Sequence, residues 1–271
     1  MKLDDVGELG LLAELERLGL VQGIEHDAAQ IGGLIVTTDA LVERVHFRFD
    51  LLTWAELGFR AAAVNISDLA ASGAEPLALL VTLALPADAR VDDVIELYAG
   101  IAEAGVPVRG GDTTRADAVM LSITALGRSA RVPGRAGARA DDLVVVTGPI
   151  GGAGAAFRAG RLARPPLRVE DGRRLAAVAT AMLDVSDGLG VDAAHIARRS
   201  GCRVVIELER VPLADGATYE DAGFGEDYEL LAATPDALGF TVIGRCEEGE
   251  DVLVTLRGEP YDLSGWEHFR C

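Results

Sequence analysis

The chain has 271 residues, 49% of them hydrophobic and 25% charged, which at roughly 150 residues per domain predicts a globular protein of two domains or one large one and excludes disorder, collagen and coiled coil. Its 43 acidic against 25 basic side chains leave a formal net charge of −18. So much negative charge repels phosphate backbones and anionic lipid, so neither nucleic acid nor a membrane surface is expected as a partner.

In chain order, the first twelve residues carry acidic side chains before any apolar run, unlike a signal peptide. Helical spacing predicts an amphipathic helix over 9–20, and the β-branched run 34–38 reads as a strand. Thr53 suits the N-cap of an alanine-rich helix over 54–72 that stops at Gly73. A buried strand is expected over 76–85, a helix over 91–104, and strands over 106–108 and 118–126. The longest apolar stretch, 77–85, is about half of the roughly 20 residues a membrane helix needs. The arginine-rich segment 128–139 has no periodicity, and the domain boundary is placed there. Beyond it, the pattern predicts strands at 143–147, 203–208, 228–232, 240–243 and 252–256, with helices from 152, over 173–182 and over 188–199. This is an α/β or α+β chain without a regular βαβ rhythm. Cys202, Cys246 and Cys271 lie far apart without a CxxC pair, which fits a reducing cytoplasm better than a disulfide framework.

Chemistry concentrates in aspartates set among small residues: Asp27, Asp39, Asp68, Asp112, Asp184 and Asp187. Each falls where a predicted element ends or turns. Asn65, Asp68 and Ser72 share a helix face by spacing. Singly, each aspartate is more simply an N-cap or an Asx turn. Together they suggest a hard cation that offsets their repulsion, and Mg²⁺ prefers such oxygen donors. The glycine-rich stretch 147–154 leads from strand to helix but lacks the Gly-Lys-Ser/Thr ending of a phosphate loop, so close packing is its expected role. His46 reads by default as a structural histidine, 225–230 as a solvated strand edge, and Trp266 as a core cap. There is no GxSxG elbow for a serine hydrolase.

The segments Thr37-Thr-Asp-Ala-Leu-Val-Glu-Arg-Val-His-Phe47, Asn65-Ile-Ser-Asp-Leu-Ala-Ala-Ser-Gly-Ala74, Gly110-Gly-Asp-Thr-Thr114, Arg135-Ala-Gly-Ala138, Asp184-Val-Ser-Asp-Gly-Leu189 and Gly225-Glu-Asp-Tyr-Glu-Leu230 resemble, in order, those of the thiamine-monophosphate kinase family. That family belongs to the aminoimidazole ribonucleotide synthetase and selenophosphate synthetase superfamily. The resemblance implies transfer of the ATP γ-phosphoryl group to thiamine monophosphate. It implies Mg²⁺ held by Asp27, Thr37, Thr38, Asp39, Asp68, Asp112, Asp184 and Asp187. ATP would meet Tyr98, Gly111, Asp112, Arg135 and Ser186, and the acceptor His46, Glu226 and Trp266. No general base is assigned. The implied architecture is an N-terminal α/β domain, residues 1–130, that binds ATP and Mg²⁺ and forms a β-barrel with a second copy. A C-terminal α+β domain, 131–271, completes the cleft of a cytoplasmic homodimer. The alternatives are a superfamily member with another acceptor and a catalytically silent nucleotide- or cation-binding regulator. Two departures stand out: His26 replaces the first aspartate of the family's Gly-Asp-Asp-Ala-Ala pattern, and the stretch between 212 and 225 is short.

Overall fold

Thr53 starts the central helix as expected: its hydroxyl accepts from the Glu56 N–H while Glu56 accepts from the Thr53 N–H, a closed capping box. In the computed structural model, which describes residues 3–22, 26–263 and 265, this helix, α2 (Trp54–Ala71), is almost wholly buried. It follows α1 (Leu3–Arg17), β1 (Ala29–Ile31) and β2 (Leu34–Val42). The first half continues with β3 (Glu75–Leu85), α3 (Val91–Glu103), β4 (Val108–Arg115) and β5 (Met120–Arg128). These strands form one mixed sheet in the order β1-β2-β5-β3-β4, with only β3 and β4 parallel. α2 and α3 cover one face, touching backbone to backbone at Gly58 and Gly100. A Cβ on Gly58 would collide with the Leu97 carbonyl and one on Gly100 with that of Ala55.

The second half holds β6 (Leu143–Val146), α4 (Gly152–Arg158), α5 (Val169–Ala176), β7 (Ala181–Asp184), α6 (Leu189–Ser200) and β8 (Arg203–Glu207). β9 (Leu230–Thr234), β10 (Thr241–Glu247), β11 (Val252–Leu256) and β12 (Glu259–Pro260) complete it. The seven-stranded sheet runs β12-β11-β8-β10-β6-β9-β7. Ala70 and Ala71, at the end of α2, pack with Leu175, Met182 and Leu230, so one helix seals both sheets. Among the described residues no helix is long and apolar enough to cross a membrane.

Three expectations shift. The helix expected over 173–182 ends at Ala176, and Ala181–Asp184 is a strand paired with β9. It is buried on both faces, so it lacks the alternation that marks a half-exposed strand. The short strand expected at 106–108 is instead the eight-residue β4, carrying Gly110 and Gly111, which extends because β3 supplies its partner. The first helix begins at Leu3, breaks from helical geometry at Gly7 and stops at Arg17.

Candidate active site

One turn of α2 joins the two halves of the site. Asn65 accepts the Asp39 N–H (3.0 Å), and Asp68 accepts the Thr37 hydroxyl (2.6 Å), both from β2. Ser67, between them, points the other way and donates to Asp184 (2.5 Å) at the end of β7. Asp27 takes Nε and Nη2 of Arg135 at 2.8 and 2.6 Å, with only 2% of its side chain exposed. The sequence thus gathers Asp27, Asp39, Asp68 and Asp184 by placing each beside α2 or the arginine-rich linker.

Their electrostatics are poorly balanced. Burial pushes the carboxyls of all four upward. Asp184 and Asp39 push Asp68 further, well above the usual range. Burial and then Asp27 carry Asp184 to about 7. Arg135 is the cation that offsets Asp27 and, more weakly, Asp184. Among the described residues, no three acidic, histidine or cysteine side chains stand in a ligand shell. The donors are nevertheless hard oxygens carrying more negative charge than the protein neutralises, the chemistry that fits a divalent magnesium ion.

The loop before β9 behaves differently. Asp227 accepts the N–H groups of Gly151 (2.6 Å) and Ala153 (3.0 Å) and so caps α4. Glu229 binds Arg168 through Nε (2.7 Å) and Nη2 (2.6 Å) and accepts the Thr147 hydroxyl (2.6 Å). The expected solvated edge is therefore corrected: Asp227 and Glu229 are buried. The glycine-rich loop spends two of its N–H groups on Asp227 rather than on a phosphate. Glu226 faces the other way, with Oε1 2.6 Å from Nη2 of Arg60. Glu226 and Tyr228 both have positive φ, 57° and 53°, which delays β9 to Leu230 rather than the expected 228.

The other predicted residues scatter around this centre. Thr38 alternates to the face opposite Thr37, where its hydroxyl meets Ser122, Thr124 and the Ile123 carbonyl. Gly111 lies in the cross-strand row Asp39, Ile123, Val81, Gly111, and Asp112 follows it on the exposed edge strand β4. Tyr98 packs from α3 onto the first core. His46 accepts the Val42 N–H at Nδ1 (3.1 Å). Ser186 is half-buried, and its carbonyl accepts the Glu226 N–H (2.8 Å). Asp187, also half-buried, gives its backbone N–H to Asp192. Trp266 lies outside the described residues. Sequence reasoning missed Arg60, Ser67, Asp192 and the capping role of Asp227. Only Ser67, inside the Asn-x-Ser-Asp run, carried a local signal.

Two family descriptions cover most of the chain: AIR synthase related protein, N-terminal domain, over residues 25–129, and AIR synthase related protein, C-terminal domain, over 139–259. The thiamine-monophosphate kinase of Aquifex aeolicus is 33% identical, the match covering 99% of this chain and all of the relative. The solved structure of AaThiL complexed with AMPPCP and TMP superposes with a TM-score of 0.88 at 32% identity, over 99% of both chains. The hydrogenase maturation protein HypE in complex with ATP shares the fold, at a TM-score of 0.71 and 17% identity over 98% of each chain. By these matches the chain belongs to the AIR synthase related family and, within it, to the thiamine-monophosphate kinases.

Proposed function

We propose that the protein phosphorylates thiamine monophosphate with ATP, giving thiamine diphosphate and ADP. The observation that carries this reading is the set Asp27, Asp39, Asp68 and Asp184, gathered around one turn of α2 with excess negative charge. ATP and the phosphate group of the acceptor are both anionic, and such a cleft would repel them without cations. The ligands are drawn from Asp27, Thr37, Asp39, Asp68, Asp184 and Asp187, with Asp112 reaching from β4 alongside Gly111 to ATP. When bound there, magnesium supplies charge neutralisation for the β- and γ-phosphate oxygens.

The chain's own residues prepare the site. Thr37 and Ser67 fix the carboxylates of Asp68 and Asp184 by hydrogen bonds, so neither must reorient on binding. Arg135, held beside Asp27, is assigned to an ATP phosphate. The attacking atom is a phosphate oxygen, largely ionised near neutral pH because its second pKa is roughly 6. It forms a bond to the γ-phosphorus as the bond to the β–γ bridging oxygen breaks, and ADP leaves with that electron pair. No side chain has to remove a proton. His46, Glu226 and Trp266 are assigned to the acceptor, and Tyr98 and Ser186 to the nucleotide. The reading includes the division at 130/131. It also includes a two-fold partner that covers the edges β1 and β4 by completing a shared barrel.

Turnover of thiamine monophosphate and of free thiamine with ATP and Mg²⁺, followed by product separation, tests the reading. Diphosphate formed from the monophosphate alone supports it. Turnover of free thiamine only, or of neither, rejects it.

A further inference from the structure

Arg60 is a cation with 3% of its side chain exposed, in the middle of α2. It shares a helix face with Ser67, seven residues on, which reaches Asp184. Its Nη1 donates to the Ala163 carbonyl at 2.9 Å, and its guanidinium carbon lies 5.9 Å from the centre of the Tyr228 ring. Nη2 stands 2.6 Å from Glu226 Oε1, yet neither it nor Nε makes a hydrogen bond of good geometry. Arg60 thus holds Glu226 by charge at close range, while the Ala163 carbonyl fixes its other terminal nitrogen. Glu226 keeps 28% of its side chain exposed, so it is anchored at one oxygen and still reaches solvent. Its backbone and that of Tyr228 sit at φ of 57° and 53°, conformations that cost energy in non-glycine residues and persist only where surroundings enforce them. The Glu226 N–H donates to the Ser186 carbonyl (2.8 Å) and the Tyr228 N–H to the Val185 carbonyl (2.9 Å), the two residues that follow Asp184, which puts the pair beside the carboxylate set.

Resting on the function proposed above, we infer that Arg60 is a positioning residue for acceptor binding: across the junction between the two sheets it holds Glu226 at the angle from which its second carboxylate oxygen accepts an N–H of the acceptor's aminopyrimidine ring, the end remote from the phosphate. Arg60 does not touch the reacting phosphates. It acts through Glu226 and leaves the nucleotide side alone.

The test is calorimetric titration of thiamine monophosphate, paired with steady-state turnover, for Arg60→Met, Arg60→Lys, Glu226→Gln and the double variant Arg60→Met/Glu226→Gln. Affinity for the monophosphate is expected to fall about tenfold in Arg60→Met and in Glu226→Gln, and to lie within about threefold of the unaltered chain in Arg60→Lys. The double variant binds no more weakly than Glu226→Gln, as for two residues acting as one unit. The KM for ATP stays unchanged throughout. Equal weakening toward ATP and the acceptor overturns the inference, as do losses that multiply in the double variant. A lower melting temperature with unchanged acceptor affinity also overturns it. If the unaltered chain turns over the monophosphate but Arg60→Met binds it equally well, only the inference falls. If the unaltered chain neither binds nor turns it over, the functional reading falls and takes the inference with it.

Discussion

The protein buries carboxylates in two places and treats them in opposite ways. Around β9, Asp227 and Glu229 receive backbone N–H groups, a threonine hydroxyl and a bidentate arginine. Around α2, Asp68 and Asp184 each receive one hydroxyl and Asp27 receives Arg135, while Asp39 is tied down through its own backbone N–H, which donates to Asn65. A buried charge whose partners are all supplied by the chain is part of the scaffold. A group of like charges left short of cations stores a deficit that a ligand can relieve. The difference separates carboxylates that hold the cleft from those that work in it, although both kinds look alike in composition.

The largest effect should come from neutralising the deficient set. Asp68→Asn removes the charge at its centre, so turnover should fall at least about 100-fold. The metal-free protein should melt at the same temperature or higher, because a repulsive charge is gone. Loss of activity with a matching loss of stability would erase the distinction. The opposite signature is expected on the scaffold side. Glu229→Ala strands Arg168 and the Thr147 hydroxyl and should cost about 3 kcal/mol of folding stability. The KM values of the folded fraction should stay near those of the unaltered chain. Chemical denaturation and kinetics on the same samples separate the two cases.

Acidity sharpens the comparison further. Asp184, pushed up to about 7 by burial and then by Asp27, holds its proton more tightly folded than unfolded. Its contribution to stability is present in full below the ordinary aspartate value near about 4 and is lost as pH rises through about 7. Asp227, raised to about 6 by burial, follows the same sign over a lower range. Without Mg²⁺ the melting temperature should rise from pH 8 to pH 5. Asp184→Asn should remove a large part of that rise, chiefly between about pH 5 and 7. Excess Mg²⁺ should remove the same part in the unaltered chain, because a cation bound to the ionised form competes with the proton. A pH profile indifferent to both would show that Asp184 carries no such deficit.

Much of the architecture was legible because its signals are local. Thr53 announces the start of α2, and β11 is bounded as expected at 252–256. β7 was misread because its four buried residues carry no period, and only the partner strand β9 decides their conformation. In the site, Asp27, Asp39, Asp68 and Asp184 sit in short motifs that a reader can find. Arg60 and Asp227 do not announce themselves. Arg60 looks like any polar residue on an alanine-rich helix until Ala163, 103 residues on, and Glu226 close around it. Asp227 caps a helix that begins 75 residues earlier, which no local pattern encodes.

The smallest effect is expected at His26, where the chain departs from the family pattern and the deficient set might have lost or gained a ligand. The His26 ring packs against Gly134, where a Cβ would collide with it, and its buried Nδ1 has no hydrogen-bond partner. Asp27 alone makes the ion pair with Arg135. A neutral imidazole is a poor magnesium ligand beside a carboxylate, so the metal role should rest on Asp27. Asp27→Asn should weaken the apparent Mg²⁺ affinity about tenfold and slow turnover, with part of the loss recovered at high Mg²⁺. His26→Asn should change either quantity by less than about threefold, since it leaves the neighbouring carboxylate and its ion pair with Arg135 intact. Turnover against Mg²⁺ concentration for the two variants decides between the neighbours. A larger loss in His26→Asn, or an Mg²⁺ dependence untouched by Asp27→Asn, would move Asp27 out of the deficient set and into the scaffold, with Arg135 as its structural partner.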